Sequence, residues 1–216
     1  MDKEYKTVLN SAVCEIEEKK SRFIASVKPV SNEEDALSFI NAIKTKYWDA
    51  THNVYAYSIG GNNIIQRYTD AGEPSGTAGL PMLEVIKRME VQNLVVVVTR
   101  YFGGTFLGSA GLIRAYGKSA ANGIEAAGIV MKKLCREVSV IIEYTLFGRV
   151  QSLLISQGYT IKNIVYEQDV EMLVYVYVDE IDKFVDILVE ATNARAVIEP
   201  GDDTYITLDL QGKLIL

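Results

Sequence analysis

The chain has 216 residues, 49% of them hydrophobic and 23% charged, with a formal net charge of −6. That length and balance suit a soluble globular protein with one large domain or two smaller ones. They argue against a membrane span of roughly 20 apolar residues, against general nucleic-acid affinity, and, with only Cys14 and Cys135 present, against a disulfide framework or a zinc site.

The N-terminal stretch Met1 to Lys6 is charged and has no apolar signal core behind it, so a cytoplasmic protein with no membrane partner is expected. Strands are predicted at Ala12 to Glu17 and Arg22 to Val27, joined by the polar turn Glu18 to Ser21. Ser31 followed by Glu34 reads as a capping box opening a helix with Leu37, Ile40, Ile43 and Tyr47 on one face. Asn53 to Ile59 alternates like a half-buried strand, and Gly60-Gly61-Asn62-Asn63 reads as a turn into a strand at Ile64 to Tyr68. Pro81 then marks the first turn of a helix.

The continuous run Leu94 to Val98 predicts a strand covered on both faces. A long helix follows from about Ser109 to Ala127, with Gly128 placed to end it in a left-handed cap. Its small residues Gly117 and Gly123 are read as close packing against a sheet. Beyond lie a long strand at Met131 to Tyr144, a helix at Phe147 to Gln157, and strands at Tyr159 to Tyr166 and Glu171 to Val178. A helix at Glu180 to Thr192 and a strand at Tyr205 to Leu210 complete the β-α-β-β-α-β order of a ferredoxin-like domain. Charge divides the same way: 17 basic residues face 15 acidic ones as far as Val138, whereas 5 face 13 from Ser139 onward. An acidic second half is either a soluble domain or a surface for a protein partner.

Two glycine-rich stretches carry the candidate chemistry, Asp70 to Gly79 and Arg100 to Arg114. The second stretch follows a predicted strand and leads into a helix, and at such a junction free backbone N–H groups converge on an anion. Neither stretch is a Walker A loop or a G-x-G-x-x-G motif, and Ser75 and Ser109 lack the setting of a nucleophile elbow. In this reading Gly103, Gly104 and Gly108 let backbone approach phosphate, and Arg100, Arg114 and Lys118 neutralise it. Tyr101 stacks on a base, while Ser75 and Thr77 either cap the next helix or bond a ligand. Alternatively Tyr101 and Phe102 pack in the core, and Arg100 pairs with Asp70 or Glu73. Asp70 and Glu73 themselves either work as an acid–base pair or hold the loop through backbone hydrogen bonds. The only histidine, His52, is either a base beside them or a structural residue near a strand end. No metal and no cofactor are expected.

The run Gly72-Glu73-Pro74-Ser75-Gly76-Thr77-Ala78-Gly79-Leu80-Pro81-Met82-Leu83 and the run Val97 to Gly104 resemble the signature of the YigZ/IMPACT family. Gly111 to Tyr116, Lys20 to Ala25 and His52-Asn53 with Tyr55 to Tyr57 continue the likeness, which covers about Glu15 to Gly128. The chain departs from the family pattern at Ala71, where a second aspartate is usual. It departs again at Phe106, often basic in relatives, and at Ala110, usually glycine.

The resemblance implies an α+β fold. Residues 1–136 would form an α/β sandwich like the second domain of a ribosomal small-subunit protein, and 137–216 a ferredoxin-like domain like one in a translocase elongation factor. Through the eukaryotic relatives the resemblance implies regulation of translation under amino-acid starvation, and through the bacterial ones it suggests association with nucleic acid or the ribosome. The resulting expectation is a translation-linked regulatory or binding protein contacting RNA or a ribosomal surface through the glycine-loop face. The alternative is a hydrolase or phosphoryl-transfer enzyme using His52, Asp70 and Glu73 on a small anionic substrate.

Overall fold

A computed structural model describes residues 2–60 and 64–215, so Gly61 to Asn63 of the expected turn lie outside the described residues. The chain divides into two compact units. Unit 1 holds the residues up to Met131 together with Leu208–Lys213, and unit 2 holds Lys132–Thr207 with the residues from Leu214. Among the described residues, no helix is long and apolar enough to cross a membrane.

The frame of unit 1 is an antiparallel sheet in the order β2-β3-β6-β4-β5. Its strands are β2 (Ala12–Glu18), β3 (Ser21–Pro29), β4 (His52–Ile59), β5 (Ile65–Thr69) and β6 (Leu94–Tyr101). The short β1 (Glu4–Val8) precedes them and bridges at Lys6 to Val91. Lys19 and Lys20 make the two-residue turn between β2 and β3, both with positive φ, which matches the right-handed twist of a hairpin.

The apolar run in β6 is explained by its central place. Successive strand side chains point to opposite faces. Val95 and Val97 therefore pack with Ile40 and Ile43 of α1 (Glu33–Lys46) on one side of the sheet. Leu94, Val96 and Val98 pack on the other side with Met82 and Ile86 of α2 (Gly79–Arg88) and Ala120 and Ile124 of α3 (Ser109–Ala126). A Cβ at Gly123 would lie 2.9 Å from Ala25 Cβ and Val27 Cγ2, so α3 reaches the sheet only because that side chain is absent. At Gly117 the same atom would meet only Val85 Cγ2, at 3.7 Å, which is ordinary contact.

Two local expectations are corrected in α1. The cap is Asn32, whose Oδ1 accepts from the Asp35 N–H at 2.8 Å, and not Ser31, which donates instead to the Asp35 carboxylate. The buried face is Ala36, Ile40 and Ile43, with Ala36 in the place expected of Leu37, which is exposed. Helix α2 begins at Gly79, two residues before Pro81. Gly128, with φ +75°, follows the end of α3 as expected.

Unit 2 contains β7 (Ile129–Ile142) from Lys132 onward, α4 (Tyr144–Ser156), β8 (Thr160–Tyr166), β9 (Val170–Tyr177), α5 (Ile181–Thr192) and β10 (Val197–Leu208) as far as Thr207. The sheet order β10-β7-β9-β8, with β9 antiparallel to both β7 and β8, is the split β-α-β arrangement of a ferredoxin-like fold. Alternate residues of β7 and β9, such as Val138, Val140, Met172 and Val174, meet Val150 and Leu154 of α4 and Phe184 and Leu188 of α5. The chain is therefore α+β.

Candidate functional site

The first glycine stretch is organised by Asp70. Its Oδ2 accepts the Gly76 N–H at 2.8 Å, and its Oδ1 accepts those of Ala78 and Gly79 at 3.1 and 2.9 Å. These last two N–H groups open α2, where Ala78 supplies no side-chain cap. Asp70 thus caps α2 from outside the helix and fixes the loop, using a charge well matched to a helix N-terminus. Thr77 turns its hydroxyl back to Pro74 O at 2.7 Å, and Ser75 is exposed.

Glu73 points the other way, into the interior. Its Oε1 receives Arg100 Nη1 at 2.6 Å and the Tyr116 hydroxyl at 2.7 Å, and all three residues are buried. Burying a charge is tolerated when it is paired and hydrogen-bonded, and Glu73 has both kinds of partner. The phenol of Tyr116 is pushed far above the ordinary tyrosine range, mainly by its burial and then by the Glu73 charge. Arg100 Nε is buried without a hydrogen-bond partner, and the guanidinium sits 5.4 Å from the Phe23 ring centroid and 5.6 Å from that of Phe102.

His52 completes the arrangement from β4. Its Nδ1 lies 2.9 Å from Ala71 O, and a carbonyl can only accept, so Nδ1 carries a proton. Nε2 is left facing Glu73 Oε2 at 3.9 Å. Gly72 is required here: its φ is +88°, and a Cβ would come within 3.2 Å of His52 Nδ1.

His52, Glu73 and Arg100 line one side of a cavity of about 410 Å³, with Gly108, Ser109 and Leu112 from the start of α3 on the other. Gly108 stands before α3 with φ +73° and, as a glycine, offers that helix no side-chain cap. The first bonded amide of α3 is that of Leu112, to Gly108 O at 2.9 Å, which leaves the N–H groups of its first turn open. Phe102 and Phe106 also line the cavity. Their rings are 5.2 Å apart and their residues 41% and 85% exposed. The arrangement offers backbone donors, two exposed aromatic side chains and an imidazole 3.9 Å from a carboxylate, around a space of the size that takes a small ligand.

The family described as Impact N-terminal domain matches residues 19–124, and the one described as Domain of unknown function (DUF1949) matches residues 140–195. The chain is 45% identical to IMPACT family member YvyE of Bacillus subtilis, over 94% of this chain and 93% of that one. The chain belongs to the IMPACT family. An IMPACT family member of Haemophilus influenzae is 33% identical over 91% of this chain and 96% of its own length. A solved structure titled as that of an hypothetical protein superposes with a TM-score of 0.60 at 26% identity, covering 94% of this chain and 99% of its own.

The cavity of this IMPACT chain gathers only part of the expected set. Arg100, Gly108, His52 and Glu73 line it, whereas Asp70 is turned to the backbone of α2. Arg114 and Lys118 lie on faces of α3 that border other grooves, and Lys118 pairs with Glu18 at 2.8 Å. Tyr101 donates its hydroxyl to Asp49 at 2.8 Å, beneath the Arg22 guanidinium. Gly103 answers to packing, since a Cβ there would sit 2.0 Å from the backbone of Lys20. Gly104, with φ +81°, has open space around the same position.

Two members of the site went unread in the sequence. Tyr116 lay hidden among the core positions of α3, although a tyrosine on a buried helix face needs a hydroxyl partner and so points to one. Phe106 stood out only as a departure from the family pattern, and its exposure makes it an accessible ring rather than a lost cation.

Proposed function

We propose that this IMPACT family member is a translation-linked regulatory protein that binds single-stranded RNA at the glycine-loop face of unit 1. The observation that carries the reading is the open N-terminus of α3 beside the exposed rings of Phe102 and Phe106. A phosphate accepts from the first-turn amides of α3, and flanking bases stack on the two phenylalanines. Arg114 and Lys118, farther along α3, meet neighbouring phosphates; the surface ion pair of Lys118 with Glu18 is weak enough to exchange for one. Arg100 acts by holding Glu73 and the cavity wall rather than by touching RNA. The translation link itself comes from the family resemblance.

Fluorescence anisotropy with a single-stranded RNA of about 12 nucleotides tests this reading. Phe106→Ala should weaken binding roughly tenfold, since base stacking on an aromatic ring is worth about 1–3 kcal/mol. With few phosphates neutralised, the slope of log affinity against log salt should be shallow, about −2 to −3. Equal binding by Phe106→Ala, or no binding at low salt, would overturn it. One observation favours a second reading, hydrolysis of a small anionic substrate: His52 Nε2 and Glu73 Oε2 share the cavity at 3.9 Å. Turnover of a phosphoester that is lost in His52→Gln, with no RNA binding, would select that reading.

A further inference from the structure

We propose that the groove between α2 and α3 docks an acidic amphipathic helix of a partner protein. The groove measures about 650 Å³ and has no lining residue in common with the glycine-loop cavity, although Arg114 and Lys118 on its rim are also the cations offered above to RNA phosphates. Its walls are Leu80, Pro81 and Val85 from α2 and Ile113, Gly117 and Ala121 from α3. Leu80 and Ile113 are 37% and 44% exposed, although both helices already bury a full apolar face in the core. Gly117 keeps the floor low, because within 4 Å of its would-be Cβ there is only Val85 Cγ2.

The rim supplies the sign of the partner. Arg88 and Arg114 border the groove, and neither has an ion pair or hydrogen-bond partner among the described residues. Lys118 also borders the groove but is held by Glu18 at 2.8 Å, and the one acid on the rim, Glu84, is held by Lys87 at 3.0 Å. An apolar floor between arginine forks suits a helix carrying aliphatic residues one turn apart with carboxylates on either side. RNA fits less well, since the groove lining holds no aromatic ring on which a base could stack.

The test uses the full chain and a fluorescein-labelled helical peptide of about 18 residues, with leucines at i, i+4, i+7 and i+11 and glutamates flanking them. The same peptide with lysine in place of glutamate and the RNA described above serve as counter-probes. Gly117→Leu fills the floor and should abolish acidic-peptide binding, and Arg88→Glu should weaken it about tenfold. RNA binding should be unchanged in both, because neither residue lines the glycine-loop cavity. Should Gly117→Leu fail to fold by circular dichroism, Ile113→Ser, at an exposed position, replaces it. The proposal is overturned if the acidic peptide does not bind, if the lysine peptide binds equally, or if RNA competes and is lost in Arg88→Glu. Concentration-dependent self-association that Arg88→Glu removes would make a second copy the occupant and overturn the partner named here.

Discussion

Glu73 Oε1 and Arg100 Nη1, 27 residues apart in the chain, meet at 2.6 Å in the interior of unit 1. The contact ties the loop before α2 to the end of the central strand β6. Tyr116 brings α3 to the same oxygen.

Removing one charge from such a pair strands the other in a poor solvent. Arg100→Met should therefore cost about 3–5 kcal/mol, while Tyr116→Phe, which removes one hydrogen bond, should cost about 1–3 kcal/mol. Urea unfolding monitored by circular dichroism reads both. An Arg100→Met protein as stable as the parent would show that the pair does not hold this part of the fold together. It follows that Arg100→Glu is a poor probe of ligand binding, since it would set two carboxylates against each other in the interior.

Asp70 should behave as a helix cap with reach. Asp70→Ala removes the acceptor of three backbone N–H groups and should cost about 2–3 kcal/mol, beyond an ordinary cap substitution. Amide hydrogen exchange should rise first at Gly76, Ala78 and Gly79. Protection unchanged at those amides would mean another group satisfies them.

Gly117 and Gly123 of α3 should respond to alanine with opposite signs. At Gly123 the added methyl meets Ala25 and Val27 at 2.9 Å, and overpacking of about 1–3 kcal/mol should exceed a helix-propensity gain of about 1 kcal/mol. At Gly117 there is room, so alanine should stabilise by up to about 1 kcal/mol. Denaturation midpoints that move in the same direction would contradict this reading.

Alkaline pH should loosen the protein through groups that the fold keeps neutral. Burial pushes the Cys135 thiol up to about 11, and burial with the Glu73 charge raises the Tyr116 phenol well above its ordinary value. Each acid is more easily ionised in the unfolded chain. The stability each confers is therefore whole below its unfolded pKa, about 9 for the thiol and 10 for the phenol, and is lost as pH rises beyond it. Melting temperatures measured from about pH 8 to 11 should fall, and less steeply in Tyr116→Phe and Cys135→Ala. A parent protein with a flat profile across that range would rule the linkage out.

What the sequence disclosed depended on whether a residue's partner was near it in the chain. The Leu94 to Val98 run announced a strand buried on both faces because each of its side chains had to be apolar. The α1 cap slipped by one residue because Ser31 and Asn32 are both good caps, and only packing of Ala36 against the sheet chooses between them. Strand β10 begins at Val197, eight residues before the predicted start at Tyr205, and runs through Pro200, Gly201, Asp202 and Asp203. No strand is expected from those residue types, yet among the described residues β10 pairs with β7 at the sheet's margin, where proline is tolerated, and Gly201 lets the backbone pass close to Glu137 O. In the site, the Arg100 partnership was visible as one of two possibilities, since charge alone could not decide which acid it met. Asp70 and Glu73 stand three apart with the same chemistry. Tertiary placement gives one to the backbone of α2 and the other to Arg100.

Unit 1 also draws Leu208–Lys213 into itself, after the whole of unit 2 has intervened. During synthesis from the N-terminal end, that segment follows the rest of unit 1 by more than seventy residues. A fragment stopped at Met131 lacks the segment in which the Asp209 carboxylate gathers the Gln211 and Lys213 amides. Cutting the chain at Met131 thus leaves part of unit 1, Leu208–Lys213, on the other piece, so a clean excision of this unit has to join two separate stretches of sequence.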